Sequence, residues 1–296
     1  MSPLSKKKLT QGSVFLLFTV PALAAIVLSV ELPFLMSVVY SFTKWNGLDR
    51  VPLFVGLANY RELLVNDPEM MSALWFTLKV TFFTVIFTNV AALLLAVLLD
   101  TEIKGKNALR VAFYIPNIIS LIVIGYIWRF IFSKGFDSFL QLTHLPIFAL
   151  SWLGDGNMAF LSVVLVSVWQ AIGFYMVIYI AGLQTMPKEL VEASMIDGAS
   201  PIARFFRITL PMIMPSITVC VFYSLSNGLK AFDVIFSLTN GGPGTTTTTI
   251  SLDIYRTAFV VSRFGYGTAK SVILFIVILL LTIFQVRTFK RREVEL

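Results

Sequence analysis

Long apolar stretches alternate with short polar segments along most of this chain. Six of the stretches are long enough to cross a hydrocarbon core of about 30 Å, which takes roughly 20 helical residues. We therefore predict membrane-spanning helices at residues 13–40, 74–99, 111–132, 159–183, 212–237 and 269–289. The first stretch follows three lysines, but it is too long for the apolar part of a signal peptide and lacks a small-residue cleavage site. We interpret it as a retained span.

The basic residues between these stretches predict the orientation, because loops rich in Lys and Arg stay on the cytoplasmic side. With the N-terminus inside, the cytoplasmic segments hold thirteen Lys and Arg and the outer segments hold six. The thirteen are Lys6, Lys7, Lys8, Lys104, Lys106, Arg110, Lys188, Arg204, Arg207, Arg287, Lys290, Arg291 and Arg292. The six are Lys44, Arg50, Arg61, Lys134, Arg256 and Arg263. We expect both termini, and the loop between the fourth and fifth spans, in the cytoplasm.

Composition agrees with the pattern, since 57% of the residues are hydrophobic and 13% are charged, whereas about a quarter are charged in soluble domains. We expect an all-α integral membrane protein with one transmembrane domain over residues 1–296. The net charge of +7 does not indicate a nucleic-acid partner, because the basic residues form short clusters and no continuous stripe. Cys220 is the only cysteine, which excludes an intrachain disulfide and a cysteine-based metal site.

Two outer connections have patterns of their own. Residues 54–64, FVGLANYRELL, space their apolar side chains as a short interfacial helix does, and a simple surface cap fits equally well. The segment TNGGPGTTTTTISLDIYRTAF, residues 239–259, carries a Gly-Gly-Pro-Gly turn and five threonines. This composition predicts an extended, non-helical segment.

The polar segment at residues 184–215 predicts two short helices joined by a glycine bend. Pro187 can start the first helix without the loss of an intrahelical hydrogen bond, and Gly198 ends it. Ser200 is a suitable N-cap for the second helix, and Pro211 interrupts the chain before the fifth span. Such a hairpin suits insertion into a groove of a partner protein, or an amphipathic loop on the lipid surface.

The residues of this hairpin resemble the cytoplasmic signature loop of the permeases of binding-protein-dependent ABC transporters. That loop reads EAA, has a glycine after three further residues and ends in LP; here Ser194 replaces the second alanine. The matching residues are Glu192, Ala193, Asp197, Gly198, Ala199, Phe205, Ile208, Leu210, Pro211 and Pro215. The segments FVGLANY, YIPNIISLIVIGYIWRFIFS, LKAFDVIFSLTNGGPGTTT and IYRTAF are similar to the carbohydrate-uptake branch of that family.

The resemblance implies a heterodimer with a second, homologous permease, two ATPase subunits below it and an extracytoplasmic binding protein that delivers a sugar. The lipid bilayer of a bacterial or archaeal cytoplasmic membrane would surround the pair. The hairpin would couple the chain to the ATPase through Glu192, Ala193, Asp197, Gly198, Ala199, Phe205, Leu210 and Pro211. The outer loop would contact the binding protein through Gly241, Gly242, Pro243, Thr245 and Thr246.

Catalytic chemistry is not visible in the sequence. No GxxxxGK phosphate loop occurs, so ATP and magnesium are expected on the partner ATPases and no cofactor or metal in this chain. One histidine, His144, and one cysteine cannot form a catalytic dyad or a zinc site of the usual kind. We therefore expect a transporter subunit and no enzyme.

Polar residues inside the spans are the candidates for a substrate pathway, because a charge in hydrocarbon is costly and usually faces a cavity or a partner. Lys230 and Asp233 are three residues apart, which predicts that they share a helix face and can pair. With Asn227 they either line a sugar pathway or contact the second permease. Gln170, Tyr175, Tyr179, Asn89 and Asn117 either face the pathway or hold helices together. Lys79, Arg129 and Lys270 lie near span ends, where long side chains can reach the interface.

Two other classes of membrane protein fit parts of the pattern. A secondary sugar transporter driven by an ion gradient would need paired ionisable residues at mid-membrane and often has an inverted repeat. Lys230 and Asp233 are the only candidates for such a pair, and no repeat is apparent. The remaining class is a membrane scaffold or receptor that transports nothing. Our prediction is an importer of an oligosaccharide or a related polyol.

Overall fold

The computed structural model describes residues 15, 16 and 18–290 of the chain, and most of these are helical. The basic residues Lys6 to Lys8, Arg291 and Arg292, and the start of the first predicted span, lie outside the described residues. The helices, in chain order, are α1 (Phe18–Tyr40), α2 (Ala58–Asn66), α3 (Pro68–Asp100), α4 (Lys106–Ile118), α5 (Leu121–Thr143), α6 (Gly156–Gln184), α7 (Lys188–Ile196), α8 (Pro201–Met212), α9 (Met214–Leu229), α10 (Asp233–Leu238), α11 (Ile250–Tyr255) and α12 (Phe264–Lys290). The strands are β1 (Thr43–Lys44) and β2 (Leu53–Phe54).

The described residues form two compact units. One contains the chain up to Asp67 together with Ile254–Ile273, and the other contains Pro68–Asp253 together with the residues from Leu274 onward.

Four described helices, α1, α3, α6 and α12, are long and apolar enough to cross a membrane, and each overlaps one predicted span. The third and fifth predicted spans are wrong as continuous helices. α4 and α5 meet at an angle of 96°, and α8 and α9 meet at 71°. If each bent pair is one span, up to six segments are long and apolar enough.

The breaks have local causes. Pro116 lies inside the last turn of α4, where it removes a backbone donor, and Ile119 and Ser120 then take extended backbone angles. Pro211 and Pro215 flank the bend at Ile213. Their missing N–H groups weaken the helix on both sides of the bend.

The fifth predicted span has a second break, which corrects the prediction for Lys230 and Asp233. Helix α9 ends at Leu229, residues 230–232 are not helical, and α10 begins at Asp233. The two side chains therefore do not share a helix face. Among the described residues they form no salt bridge with each other.

In the first unit, β1 and β2 pair antiparallel, with Thr43 opposite Phe54, and lead into α2. The Asn59 amide of α2 donates to the carbonyl oxygens of Ser41 and Thr43 at 2.8 and 2.9 Å, which secures the helix against β1. The short helix predicted within residues 54–64 is present, although it begins at Ala58 and ends at Asn66.

Lys270, in the part of α12 that belongs to the first unit, does not reach toward an interface as predicted. Only 3% of it is exposed, and its Nζ lies 3.0 Å from Asp67 Oδ2. The prediction was wrong because a carboxylate far away in the sequence offers the ammonium group a partner inside the protein.

The second unit is built on the contact of α3 with α6, against which α4, α5, α9 and α10 pack. Its apolar side chains form two clusters. One joins α3, α5, α6 and α10 around Ile124, Val166 and Ile235. The other joins α3, α6 and α9 around Ala96, Met176 and Cys220. The space between the polar faces of these helices contains the candidate site.

The threonine-rich segment is partly as predicted. Residues 239–249 are not helical, but they fold into turns because hydroxyl groups bond to nearby carbonyl oxygens, such as Thr247 Oγ1 to Gly242 O at 2.7 Å. Thr249 Oγ1 donates to Ala231 O at 2.9 Å. The extension of the non-helical prediction to residue 259 is wrong, since α11 and a π-helical turn at Arg256–Val260 follow.

Candidate functional site

A cavity of about 410 Å³ lies in the second unit between α3, α4, α6, α9 and α10. The structure brings six of the eight polar candidates for the substrate pathway to its wall. They are Asn117, Gln170, Tyr175, Asn227, Lys230 and Asp233. The wall also contains residues that the sequence analysis did not select, namely Thr81, Thr84, Thr88, Ser167, Tyr223 and Ser224. Thr81, Thr84 and Thr88 lie three and four residues apart on α3, and this spacing was a usable signal because such residues share a helix face.

Three carboxamides reach the cavity from three different helices. Asn117 comes from the last turn of α4, Gln170 from the middle of α6 and Asn227 from the last turn of α9. A carboxamide both donates and accepts hydrogen bonds. The cavity can therefore bind a ligand that carries hydroxyl groups.

Aromatic rings form another part of the wall. The ring centroids of Phe174 and Tyr223 are 5.2 Å apart, and those of Phe174 and Tyr175 are 5.3 Å apart. Phe232 also lines the cavity and stacks on Phe236. These rings offer apolar faces beside the polar groups.

The helices approach closely at this site because α6 and α9 carry glycines where they meet their neighbours. A side-chain carbon at Gly228 of α9 would lie 2.7 Å from Thr81 Cγ2 of α3. At Gly173 of α6 it would overlap the carbonyl oxygen of Phe113 in α4. Small residues at such crossings allow close helix packing in membrane proteins.

Tyr179 is not part of the cavity wall. It is buried one turn beyond Tyr175, and its hydroxyl donates a 2.6 Å hydrogen bond to Asn89 Oδ1. Asn89 Nδ2 in turn donates to Ser224 Oγ at 2.9 Å and to Val85 O at 2.8 Å. This network joins α3, α6 and α9 beside the cavity, so a helix-joining role is visible for Tyr179 and Asn89. A pathway role for Tyr179 stays a prediction.

The hairpin of α7 and α8 has the two helices and the bend that the sequence predicts. Gly198 has a φ of +75°, and a side-chain carbon there would have no neighbour within 4 Å. Ser200 Oγ accepts a hydrogen bond from Ala203 N at 3.2 Å, which caps α8. The small residue at Ser194 is explained by burial, and its hydroxyl donates to Val191 O at 2.6 Å.

The residues predicted for coupling divide by exposure. Glu192, Ala193, Asp197 and Gly198 are exposed, whereas Ala199, Phe205, Leu210 and Pro211 are half-buried. The residues predicted for coupling did not include Ile196 and Ile202, which lie on either side of Gly198 and are 87% and 73% exposed. The hairpin tip is thus a small apolar surface with two carboxylates beside it.

An open groove of about 770 Å³ lies between the hairpin and the ends of α3 and α6. Its wall combines Asp100 and Glu192 with Lys106, Arg204 and Phe205. Arg110 lies one turn after Lys106 on α4. It donates to Leu99 O at 2.7 Å, which links α4 to the end of α3.

The residues predicted to contact a binding protein lie in the turns after α10. Thr245 and Thr246 are exposed, Gly242 and Pro243 are half-buried, and Gly241 is buried. In the described part of the chain, no group of three or more His, Cys, Asp or Glu side chains is placed to hold a metal ion.

Comparison with known proteins gives consistent matches over most of the chain. Residues 88–294 match the family described as Binding-protein-dependent transport system inner membrane component. The chain is 41% identical over 285 residues to the Probable starch degradation products transport system permease protein AmyD of Thermoanaerobacterium thermosulfurigenes, which covers 96% of this chain and 97% of the relative. It is 35% identical over 262 residues to the Multiple sugar-binding transport system permease protein MsmF of Streptococcus mutans, with 88% and 90% covered.

A solved structure has the same fold. A chain of a bacterial ABC transporter involved in the import of the acidic polysaccharide alginate superposes with a TM-score of 0.82 at 21% sequence identity, over 96% of this chain and 98% of that chain.

Proposed function

The chain belongs to the family of binding-protein-dependent transport system inner membrane components, and we propose that it is the permease subunit of an ATP-driven ABC importer for a sugar. The substrate is an oligosaccharide or a related polyol that an extracytoplasmic binding protein delivers. The names of the relatives, which refer to starch degradation products and to multiple sugars, support this substrate class.

The hairpin of α7 and α8 is the observation on which the proposal rests. It exposes Ile196 and Ile202 around a glycine bend with open space beside it, and Glu192 and Asp197 lie next to them. Large apolar side chains that are exposed together favour a binding surface for another protein. The partner in this proposal is the ATPase subunit, in whose cleft the hairpin lies.

We place six membrane-spanning segments in the chain, formed by α1, α3, α4 with α5, α6, α8 with α9, and α12, as one transmembrane domain. Both termini and the loop at residues 184–215 are cytoplasmic in this arrangement. The distribution of Lys and Arg supports the orientation. Bent helix pairs are compatible with a transporter, because broken helices are tolerated where they line a cavity.

The assembly contains a second, homologous permease, two ATPase subunits and the binding protein, in the cytoplasmic membrane of a bacterium or archaeon. ATP and magnesium bind to the ATPase subunits, and this chain holds no cofactor. The outer loop contacts the binding protein through the exposed Thr245 and Thr246, with Gly241, Gly242 and Pro243 shaping the turn.

Transport follows from the movement of the hairpin. Closure of the two ATPases on ATP shifts the hairpin as a rigid body, and the spans rock between inward-open and outward-open states. The cavity between α3, α4, α6, α9 and α10 provides the polar section of the pathway in this chain, with Gln170, Tyr175, Asn227, Lys230 and Asp233 on its wall.

The test is purification from membranes in mild detergent through a tag on this chain. We expect a second permease and an ATPase to co-purify, and the sugar-loaded binding protein to stimulate ATP hydrolysis. Uptake into proteoliposomes must then require ATP. A chain that purifies alone and moves sugar under an ion gradient without ATP contradicts the proposal and supports the secondary transporter.

A further inference from the structure

The end of α5 and the residues that lead to α6 carry exposed apolar side chains. We call residues 136–150 the connecting segment. It comprises the last eight residues of α5, Phe136–Thr143, and a 3₁₀ turn at Pro146–Ala149, and it lies outside every span predicted from the sequence. Its five exposed large apolar residues have 45–78% of their surface open, and they are Phe139, Leu142, Leu145, Ile147 and Leu150. Large apolar side chains that are exposed together indicate a binding surface.

The opposite side of the connecting segment is covered by the protein itself. The ring centroids of Phe136 and Trp152 are 5.5 Å apart, and those of Phe136 and Phe148 are 5.1 Å apart. The indole N–H of Trp152 donates to Ile147 O at 2.9 Å, which fixes the turn against the rings. The segment therefore has one apolar side packed on aromatic rings and a second apolar side that is open.

The open side continues an exposed face of α5. Ile127 and Phe130 are three residues apart and are 49% and 65% exposed, so they share a helix face. A π-helical turn at Ile131–Gly135 follows them. Such a turn adds one residue to the helix, and this shift brings Leu142 onto the same face, with Phe139 at its edge. The apolar surface thus runs without interruption from α5 into the connecting segment.

This continuous face belongs to a membrane span. The chain belongs to a family of inner membrane components, and α4 with α5 is long and apolar enough to cross a membrane. The open side of the segment is small for a protein partner, because it has five large apolar residues, whereas each side of a stable protein interface contributes roughly 20–30 residues. Polar residues lie among them, namely Gln141, Thr143 and His144. Such a mixture on a short helix is typical of the membrane interface.

The threonine-rich turns provide a contrast at the same end of α6. A side-chain carbon at Gly156, the first residue of α6, would lie 3.4 Å from Thr246 Oγ1, so the turns lie beside that end. Residues 239–249 contain no large apolar residue before the end of the threonine run, and Thr245 and Thr246 are exposed. A polar loop and an apolar segment at one end of a helix indicate two surroundings, water for the loop and lipid for the segment.

We propose that the connecting segment lies in the boundary between the headgroups and the acyl chains of the bilayer, with Phe139, Leu142 and Leu145 in contact with lipid. Interfacial helices bury their apolar side about 5–10 Å into this boundary. Trp152 beside the segment fits the same depth, because Trp is enriched at membrane–water interfaces. The bilayer then covers the open side and holds the end of α5 beside α6. This lipid contact is additional to the proposed function and does not depend on it.

The experiment measures the depth of the segment in lipid. The protein is purified with the subunits that accompany it and is reconstituted into phosphatidylcholine vesicles without a binding protein. The variants Leu142→Cys and Leu145→Cys are labelled with an environment-sensitive fluorophore. Thr246→Cys is the matched control, since Thr246 is exposed at the same end of α6. Cys220 is fully buried, so the unsubstituted protein should take up little label.

Two kinds of quencher distinguish lipid from water. Nitroxides attached at two positions along the acyl chain give the depth of each fluorophore, and iodide reports contact with water. We expect the fluorophores of Leu142→Cys and Leu145→Cys about 5–10 Å inside the headgroup boundary and shielded from iodide. Thr246→Cys should be quenched by iodide and not by the nitroxide lipids. The labelled variants should melt at the wild-type temperature, because the substituted side chains are exposed.

Three results would overturn the proposal. Quenching of Leu142→Cys by iodide as strongly as Thr246→Cys would place the segment in water. Protection of the fluorophore from both quenchers would show that another protein chain covers the surface. A depth near the bilayer centre would place the segment in the hydrocarbon core and not at the boundary. ATP-driven uptake is measured separately, so each of these results leaves the proposed function intact.

Discussion

The hydroxyl of Tyr179 donates a 2.6 Å hydrogen bond to Asn89 Oδ1, and this bond joins α6 to α3 inside the protein. Asn89 continues to Ser224 Oγ at 2.9 Å, so three helices share one buried network. The network lies beside the cavity, and Ser224 belongs to both. A change in the network is therefore expected to alter stability first and transport only as a consequence.

Tyr179→Phe should lower the stability of the complex by about 1–3 kcal/mol, because it leaves the buried Asn89 oxygen without its donor. The measurement is thermal unfolding of the purified complex. Tyr126→Phe is the matched control, since Tyr126 is half exposed and should melt as the wild type does. Equal melting temperatures for both variants would contradict a structural role for the bond.

Lys270→Met should destabilise the first unit by about 3–5 kcal/mol, because it removes the buried ammonium group that pairs with the half-buried Asp67 carboxylate. The Tyr266 hydroxyl still donates to that carboxylate at 2.9 Å. Arg263→Met is the control. Arg263 lies 2.9 Å from Glu62, but both side chains are exposed, and such a surface pair is worth about 0–1 kcal/mol. Protease resistance and melting temperature would measure both.

The double variant Lys270→Met with Asp67→Asn separates pairing from packing. It should regain part of the lost stability, because the negative charge that has lost its ion-pair partner is removed as well. If the loss of stability in the double variant equals the sum of the losses in Lys270→Met and Asp67→Asn, the two side chains do not interact.

Gly198→Asp should reduce ATP-driven sugar uptake while the complex still assembles in the membrane. The residue combines a φ of +75° with open space in which a partner can approach. Gly105→Asp is a close control, since Gly105 has a φ of +84° and no neighbour within 4 Å of an added side-chain carbon. Both variants carry similar backbone strain, but only the first alters the hairpin. Equal loss of uptake in the two would refute the coupling role.

Glu192→Ala should weaken the association of the ATPase by removing a charged contact of the hairpin surface. Charged groups at an interface rim act mainly on association rate and salt dependence, so the affinity difference from wild type should shrink at high salt. Glu189→Ala, in the first turn of the same helix and also exposed, serves as the control. ATPase binding to the detergent-purified permeases is the measurement, and identical affinities would contradict the prediction.

Gly228→Ala should destabilise the second unit by about 1–3 kcal/mol, as is typical when a methyl group is forced into a packed core. The added carbon would lie 2.7 Å from Thr81 Cγ2, so α3 and α9 must move apart. At Gly135, an added carbon would make only ordinary contacts at 3.7 Å with Ile131. Gly135→Ala should therefore unfold at the wild-type temperature, and a comparable loss there would contradict the packing argument.

The sequence by itself determined the elements whose signal is local. The apolar stretches located α1, α3, α6 and α12, since the length needed to cross a bilayer can be counted along the chain. The hairpin was predicted residue by residue, because Gly198 and Ser200 act through backbone geometry and hydrogen bonds within a few positions. The polar residues of the fifth span were also recognised from the sequence, because a charged side chain inside an apolar stretch usually faces a cavity or a partner.

Only the tertiary structure decided which of those polar residues meet and which are already satisfied. Gln170 and Asn89 are both carboxamides in apolar stretches, so the sequence does not distinguish them. The structure shows that Asn89 forms hydrogen bonds with Tyr179 and Ser224, which are 90 and 135 residues away. The position of Lys270 near a span end predicted an interfacial lysine, but its ammonium group pairs with Asp67 inside the protein. Lys230 and Asp233 were separated by a helix break that leaves both on the cavity wall. These contacts form between residues that are far apart along the chain. The sequence of one segment therefore does not predict them.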